Sequence, residues 1–142
     1  MAATLLGAIK VLWDAAGGPS DRGLGSLWFE EAREGIDFPY AVLDQVREDE
    51  TLLDAENGKE VKSRWRVTIY DTGALAAESL GGIIETAFDG KILDVTSRIL
   101  VRMTAVVYQP ELDRTRSTDA RRVYHVRVMV YAEWRKVVSS VP

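Results

Sequence analysis

Apolar residues recur at helical spacing over residues 2–16, where Leu5, Leu6, Ile9, Leu12, Trp13 and Ala16 share one face. Gly17-Gly18-Pro19 ends that pattern, because two glycines and a proline cannot continue a helical hydrogen-bond ladder. Residues 20–35 read as a long connection, rich in glycine and charge and pinned by the apolar knot Leu27, Trp28 and Phe29. Residues 38–47 read as a strand, and a charged loop with an Asn57-Gly58 turn follows. Over residues 61–69 the odd positions are Val61, Ser63, Trp65, Val67 and Ile69, and the even ones Lys62, Arg64, Arg66 and Thr68. That period of two predicts a half-buried strand.

A helix is predicted over residues 73–88, capped by Asp71 or Thr72, with Thr72 the better side-chain cap. Its buried stripe is Ala76, Leu80, Ile83, Ile84, Ala87 and Phe88. The mid-helix pair Gly81-Gly82 costs about 1 kcal/mol per glycine relative to alanine and marks close packing on a sheet. Two long strands finish the chain, over residues 98–109 and 123–135, the second with Tyr124, Val126, Val128, Val130, Ala132 and Trp134 on one face. The thirteen charge-dense residues 110–122 between them exceed an ordinary hairpin loop, a length that signals function or disorder. The order helix, strand, strand, helix, strand, strand predicts an α+β domain over residues 1–142. Its sheet is antiparallel and mostly four-stranded, with two helices packed on one face and a long final β-hairpin.

Composition narrows the classes. The chain has 142 residues, 46% hydrophobic and 28% charged, which fits one globular domain with a core of its own. No stretch approaches the ~20 apolar residues that cross a bilayer, and the first residues read as a helix and not as a signal peptide. There is no cysteine, which excludes disulfides, thiolate catalysis and iron–sulfur clusters, and a single histidine excludes a multi-histidine metal site. The net charge of −4 is unevenly spread. Residues 1–58 carry 4 basic against 12 acidic groups, whereas residues 98–142 carry 9 against 4. Such polarity fits contact with two different neighbours, head-to-tail contact between copies, or charges that mix once the chain folds.

Catalytic templates find little. His125 has no serine elbow to serve and reads as a solvated or interface residue on the polar face of a strand. The glycine-rich run at 17–25 lacks the lysine of a phosphate loop. The acidic groups Glu30, Glu31, Glu34 and Asp37, and Glu48, Asp49, Glu50 and Asp54, lack the spacing of a calcium loop. No cofactor is expected. Lys62, Arg64 and Arg66 share one strand face and Arg127 and Arg135 another, so paired strands would carry a basic band on the sheet face away from the core, with Arg102 beside it. An ordinary solvated face, contact with an acidic neighbouring subunit, and passing contact with nucleic acid are the open readings. The acidic balance and the lack of an aromatic–basic recognition motif argue against a dedicated nucleic-acid binder.

Taken together the pattern resembles the small tail-terminator and tail-completion proteins of tailed bacteriophages and related phage-derived particles. The features that carry the resemblance are the N-terminal amphipathic helix and the aromatic–Pro–aromatic lead into the first strand (Phe38-Pro39-Tyr40). They continue through the strand closing on Ile69-Tyr70-Asp71, the alanine-rich helix from Gly73, and the last strand with Val130-Tyr131-Ala132-Glu133-Trp134-Arg135. The resemblance implies a non-enzymatic virion protein, made in the host cytoplasm, that forms a ring, usually of six copies, at the head-proximal end of the tail. It implies partners: further copies of the chain, the tail tube protein, and a head-completion or connector protein, with passing contact with DNA in the lumen and none with a membrane.

A ring sets each subunit head-to-tail against the next, so two different patches must be complementary. The expected patches are acidic Asp44, Glu48, Asp49 and Glu50 against basic Lys62, Arg64, Arg66 and Arg127 and the loop arginines Arg114, Arg116, Arg121 and Arg122. The 110–122 loop is expected to order on contact with a partner. The alternative is a small α+β ligand-binding module, or a weak enzyme, with a pocket between helix and sheet. Ser63 and Ser79 would be the polar residues of that pocket.

Overall fold

Alternation on one strand becomes a sheet because its apolar positions find equals across the ladder. In the computed structural model, which describes residues 4–16, 27–30, 37–54 and 58–136, the elements run α1 (Leu5–Ala15), β1 (Leu27–Phe29), β2 (Tyr40–Asp54) and β3 (Gly58–Asp71). They continue as α2 (Ala74–Phe88), β4 (Arg98–Val107), β5 (Glu111–Leu112) and β6 (Tyr124–Lys136). Along β3 and β6, Val61 stands opposite Trp134, Trp65 opposite Val130, Val67 opposite Val128 and Ile69 opposite Val126. All eight are buried. The sheet has the order β1-β2-β3-β6-β4, with β5 added to one end of β6.

The α+β class, the helices against the sheet and the long last hairpin stand as expected. The four-stranded count is loose, since the sheet has six strands. Four long antiparallel strands form its body. The additions are β5, inside the loop, and β1, which runs parallel to β2 and is built from the Leu27-Trp28-Phe29 knot. A three-residue strand carries too little periodicity to show in sequence. The glycine-rich connection around it lies outside the described residues, as does the Gly17-Gly18-Pro19 stop.

Strand β2 is also longer than expected, because the acidic run Glu48-Asp49-Glu50 pairs with β3 through to Asp54. Charge at these positions hides the strand, since neither face is apolar enough to alternate. A bulge between Asp44 and Arg47, with Gln45 at a φ of 52°, shifts the phase of the pleat. Before it, Asp44 lies across from Arg66; after it, Glu48 lies across from Ser63 and Asp49 from Lys62. The bulge therefore sends Asp44 and Asp49 to the face away from the helices and Glu48 to the helix side.

Helix α2 packs on β3, β4 and β6. Gly81 explains how closely: a Cβ there would stand 2.7 Å from Val126 Cγ1 and 3.0 Å from Val107 Cγ1. Gly82 has open space instead. The expected cap is displaced, since Gly73 occupies the N-cap with no side-chain bond and Asp71 accepts from the Thr72 N–H. On α1 the Thr4 hydroxyl accepts from the Gly7 N–H, and Leu5, Ala8, Ile9 and Trp13 are buried. One cluster draws on both helices and on the inner face of β2, β3, β4 and β6. A second, smaller cluster of Val42, Tyr70 and Val123, flanked by Trp28, Phe38 and Tyr40, lies on the outer face.

Candidate functional site: the outer sheet face

The even positions of β3 and the odd positions of β6 and Asp44 of β2 meet on one surface. Across it run Lys62, Glu133 and Arg102; Arg47, Arg64 and Tyr131; Asp44, Arg66 and Met129; Thr68 and Arg127; and Tyr70 and His125. The expected basic band exists, and the strand pairing assembles it. Carboxylates run through it as well. Arg66 donates from Nε and Nη2 to the two Asp44 oxygens at 2.8 and 2.7 Å, a bidentate pair with both side chains about a fifth exposed. The Asp44 bond holds the Arg66 guanidinium above its usual range, although burial opposes this.

The 110–122 segment is folded onto this surface. Asp113 is 6% exposed and is its pivot. Its carboxylate accepts from the Arg116 N–H at 3.0 Å and from Arg116 Nη1 at 3.2 Å, and Oδ2 lies 3.4 Å from His125 Nδ1. Burial pushes the Asp113 carboxyl up, but the Arg116 N–H, His125 and the Arg116 charge together hold it below the usual carboxylate range. Ser117 donates to the Asp113 carbonyl at 2.6 Å and accepts from the Val123 N–H at 2.9 Å, which closes the turn. Arg116 then reaches the Tyr40 hydroxyl and stacks on Tyr70, 4.1 Å from the ring centre, and Arg121 covers Phe38 at 4.8 Å. The loop is thus a strap over the ladder of Phe38, Tyr40 and Tyr70, whose ring centres are 5.4 and 5.0 Å apart. The charge density of the segment points to a partner; two of its arginines, Arg116 and Arg121, find aromatic partners within the chain. That signal was present in the period-two spacing of Phe38, Tyr40 and Val42, but the cation–π geometry was not.

Other residues expected at an interface are paired within the chain. Glu48 accepts both hydrogen bonds of a bidentate contact from Arg98 at 2.8 Å and a third from Ser63 Oγ at 3.3 Å. The Arg98 bonds hold the Glu48 carboxyl below its usual range against the opposing effect of burial. Glu50 lies within ion-pair distance of Lys136 at 3.3 Å and Lys59 at 3.6 Å. Arg127 leans toward His125 and is 3.8 Å from Glu111. By contrast Asp49, Lys62, Arg64, Arg114 and Arg122 are exposed and make no ion pair among the described residues. Sequence reading missed Asp113, Glu111, Arg98, Lys136 and Arg47, which set the charge balance of these groups. His125 was expected on a solvated or interface face; its side chain is 14% exposed, between Glu111 and Asp113.

A roomy cleft lies elsewhere. About 630 Å³ opens between α1 and α2, lined by Leu12, Ala15, Ala16, Ile83 and Ala87, with Ser79, Thr86 and Lys91 as its polar groups. It lies between helices, not between helix and sheet. Ser63 is committed to Trp134 and Glu48. Among the described residues no group of carboxylates and histidines could hold a metal ion, and no helix is long and apolar enough to cross a membrane.

No family model matches this sequence, and no curated protein matches it. Among solved structures, the fold is that of one chain in the virion of a native gene transfer agent particle. The TM-score is 0.67 at 12% identity, over 93% of this chain and 98% of that one. At that identity the likeness is one of fold.

Proposed function

We propose that the chain is a structural protein of a tailed-phage-type particle, a subunit of a ring at the head-proximal end of the tail. It would stop tube polymerisation and present the joining surface to a head-completion or connector protein. The observation that carries this reading is the near-complete mutual coverage with a virion chain, with almost nothing left over on either side. A head-to-tail ring also needs two unlike faces on one subunit. The sheet has them: one side carries the helices, with Leu75 and Val11 exposed, and the other the arginine-rich surface. Within the proposal, Asp49, Lys62, Arg64, Arg114 and Arg122 are the contact residues. Asp44, Glu48, Glu50, Arg66, Arg116, Arg121 and Arg127 hold the subunit in the shape that presents them.

Tube length tests the proposal. Tail-tube protein polymerised with the purified chain should give capped tubes that cease to grow, seen by electron microscopy. Tubes that lengthen at the same rate with and without it would defeat the terminator reading.

The cleft between α1 and α2 supports a second reading, a small ligand-binding module or a weak enzyme. Thr86 already donates to the Gly82 carbonyl, and the cleft lining holds no histidine or carboxylate to activate Ser79, so an apolar ligand suits it better than a reaction. A small-molecule thermal-shift screen decides: a saturable rise in melting temperature, lost in Ile83→Asp, would favour this module.

A further inference from the structure

Two hollows of about 350 Å³ each adjoin on the outer face and share Arg66, His125 and Arg127. The one beneath the 113–116 turn contains Thr68, which is 3% exposed and whose Oγ1 has no hydrogen-bond partner. A buried hydroxyl without a partner is costly, and native structures keep few of them. Arg127 stands directly opposite Thr68 on β6. Its nearest carboxylate oxygen, on Glu111, is 3.8 Å away, beyond hydrogen-bond length, and its Nη2 lies 3.4 Å from a histidine nitrogen. Arg114, on the rim, has no ion pair among the described residues. Arg66 and Arg116 of this lining are held by Asp44 and Asp113, which leaves Thr68 without an acceptor and Arg127 with long contacts alone.

We infer that this hollow is a carboxylate-binding site, which takes an acidic side chain presented by another protein. The carboxylate would accept from the Thr68 hydroxyl and from the Arg127 guanidinium. A nucleic acid is disfavoured because Asp44, Glu111 and Asp113 border the same surface and would repel a continuous chain of phosphates, while a single carboxylate passes between them. The inference is independent of the ring: it concerns one ligand chemistry and holds for a monomer.

Titration of the full chain, labelled with ¹⁵N, tests it. The probes are a blocked Ser-Glu-Ser-Glu-Ser peptide, its glutamine counterpart, a short DNA duplex and inorganic phosphate. The glutamate peptide should shift Thr68 and Arg127 resonances saturably, and the glutamine peptide should not. Thr68→Val, nearly isosteric and without charge change, should weaken binding roughly tenfold, the worth of one hydrogen bond to a charged group, with Arg127→Gln doing the same. Melting curves identify a variant that fails to fold, and Thr68→Val alone then carries the test. Binding that neither variant changes overturns the site. So does tighter binding of the duplex at these residues, or of phosphate as strong as that of the peptide.

Discussion

Arg64 on β3 stands directly across from Arg47 on β2, and neither guanidinium has an ion-pair partner among the described residues. Like charges directly opposite on a sheet are destabilising, by up to about 1 kcal/mol. The chain tolerates this pair on a surface that mixes neutralised charges, such as Arg66 held by Asp44, with unpaired ones such as Lys62. Charge reversal at Arg64 therefore separates folding from assembly. Arg64→Glu should leave the melting temperature unchanged or slightly raised, because it turns repulsion into attraction, and it should weaken association between copies. Reversal of Arg66 lacks that clarity, since a glutamate there would face Asp44 and destabilise the fold itself. Thermal melting with sedimentation velocity on both variants checks the contrast.

Trp134 donates its indole N–H to Ser63 Oγ at 3.1 Å, and Ser63 in turn donates to Glu48. Ser63→Ala leaves the buried indole N–H unpartnered and should cost about 1–3 kcal/mol in urea unfolding. The loss should be smaller in a Trp134→Phe background, where no N–H remains to be orphaned.

Glu48 and Asp113 both titrate below the ordinary carboxylate range in the folded chain. A depressed folded pKa adds stability that is fully present above the unfolded value and is lost as pH falls through the folded one. Stability should hold down to about pH 5 and then fall steadily toward about pH 3, a range that spans ordinary carboxylate pKa values and extends below them. Glu48→Gln and Asp113→Asn should each flatten that fall, and each should be less stable than the parent at neutral pH. Asp113→Asn should in addition raise amide exchange in the 113–123 turn, because the bonds to Arg116 and His125 weaken.

The glycine pair of α2 should respond asymmetrically. Gly81→Ala pushes a methyl group into the branched side chains of Val126 and Val107 and should cost about 1–3 kcal/mol, an overpacking penalty. Gly82→Ala has open space and should stabilise by up to about 1 kcal/mol through helix propensity. Equal effects at the two positions, measured by urea unfolding, would contradict the close approach of helix to sheet.

Legibility in the sequence followed burial. Val61 to Ile69 and Tyr124 to Trp134 alternate because one face of each is dry and the other is not, so both strands and their common face could be read. Glu48 to Asp54 could not, because charges and exposed leucines fall on both faces of β2 there and its place is set by partners such as Arg98 and Lys136, far along the chain. The arginines of the basic band were found as residue types. Their division into paired and unpaired groups depends on the β2 bulge and the turn at Asp113, which local pattern does not encode.

The most direct test of the account is native mass spectrometry across protein and salt concentration. The ring predicts a six-copy species that grows with protein concentration, recedes as salt screens the charged faces, and is diminished in Arg64→Glu. A chain that stays monomeric throughout, or an assembly indifferent to both salt and Arg64, contradicts it.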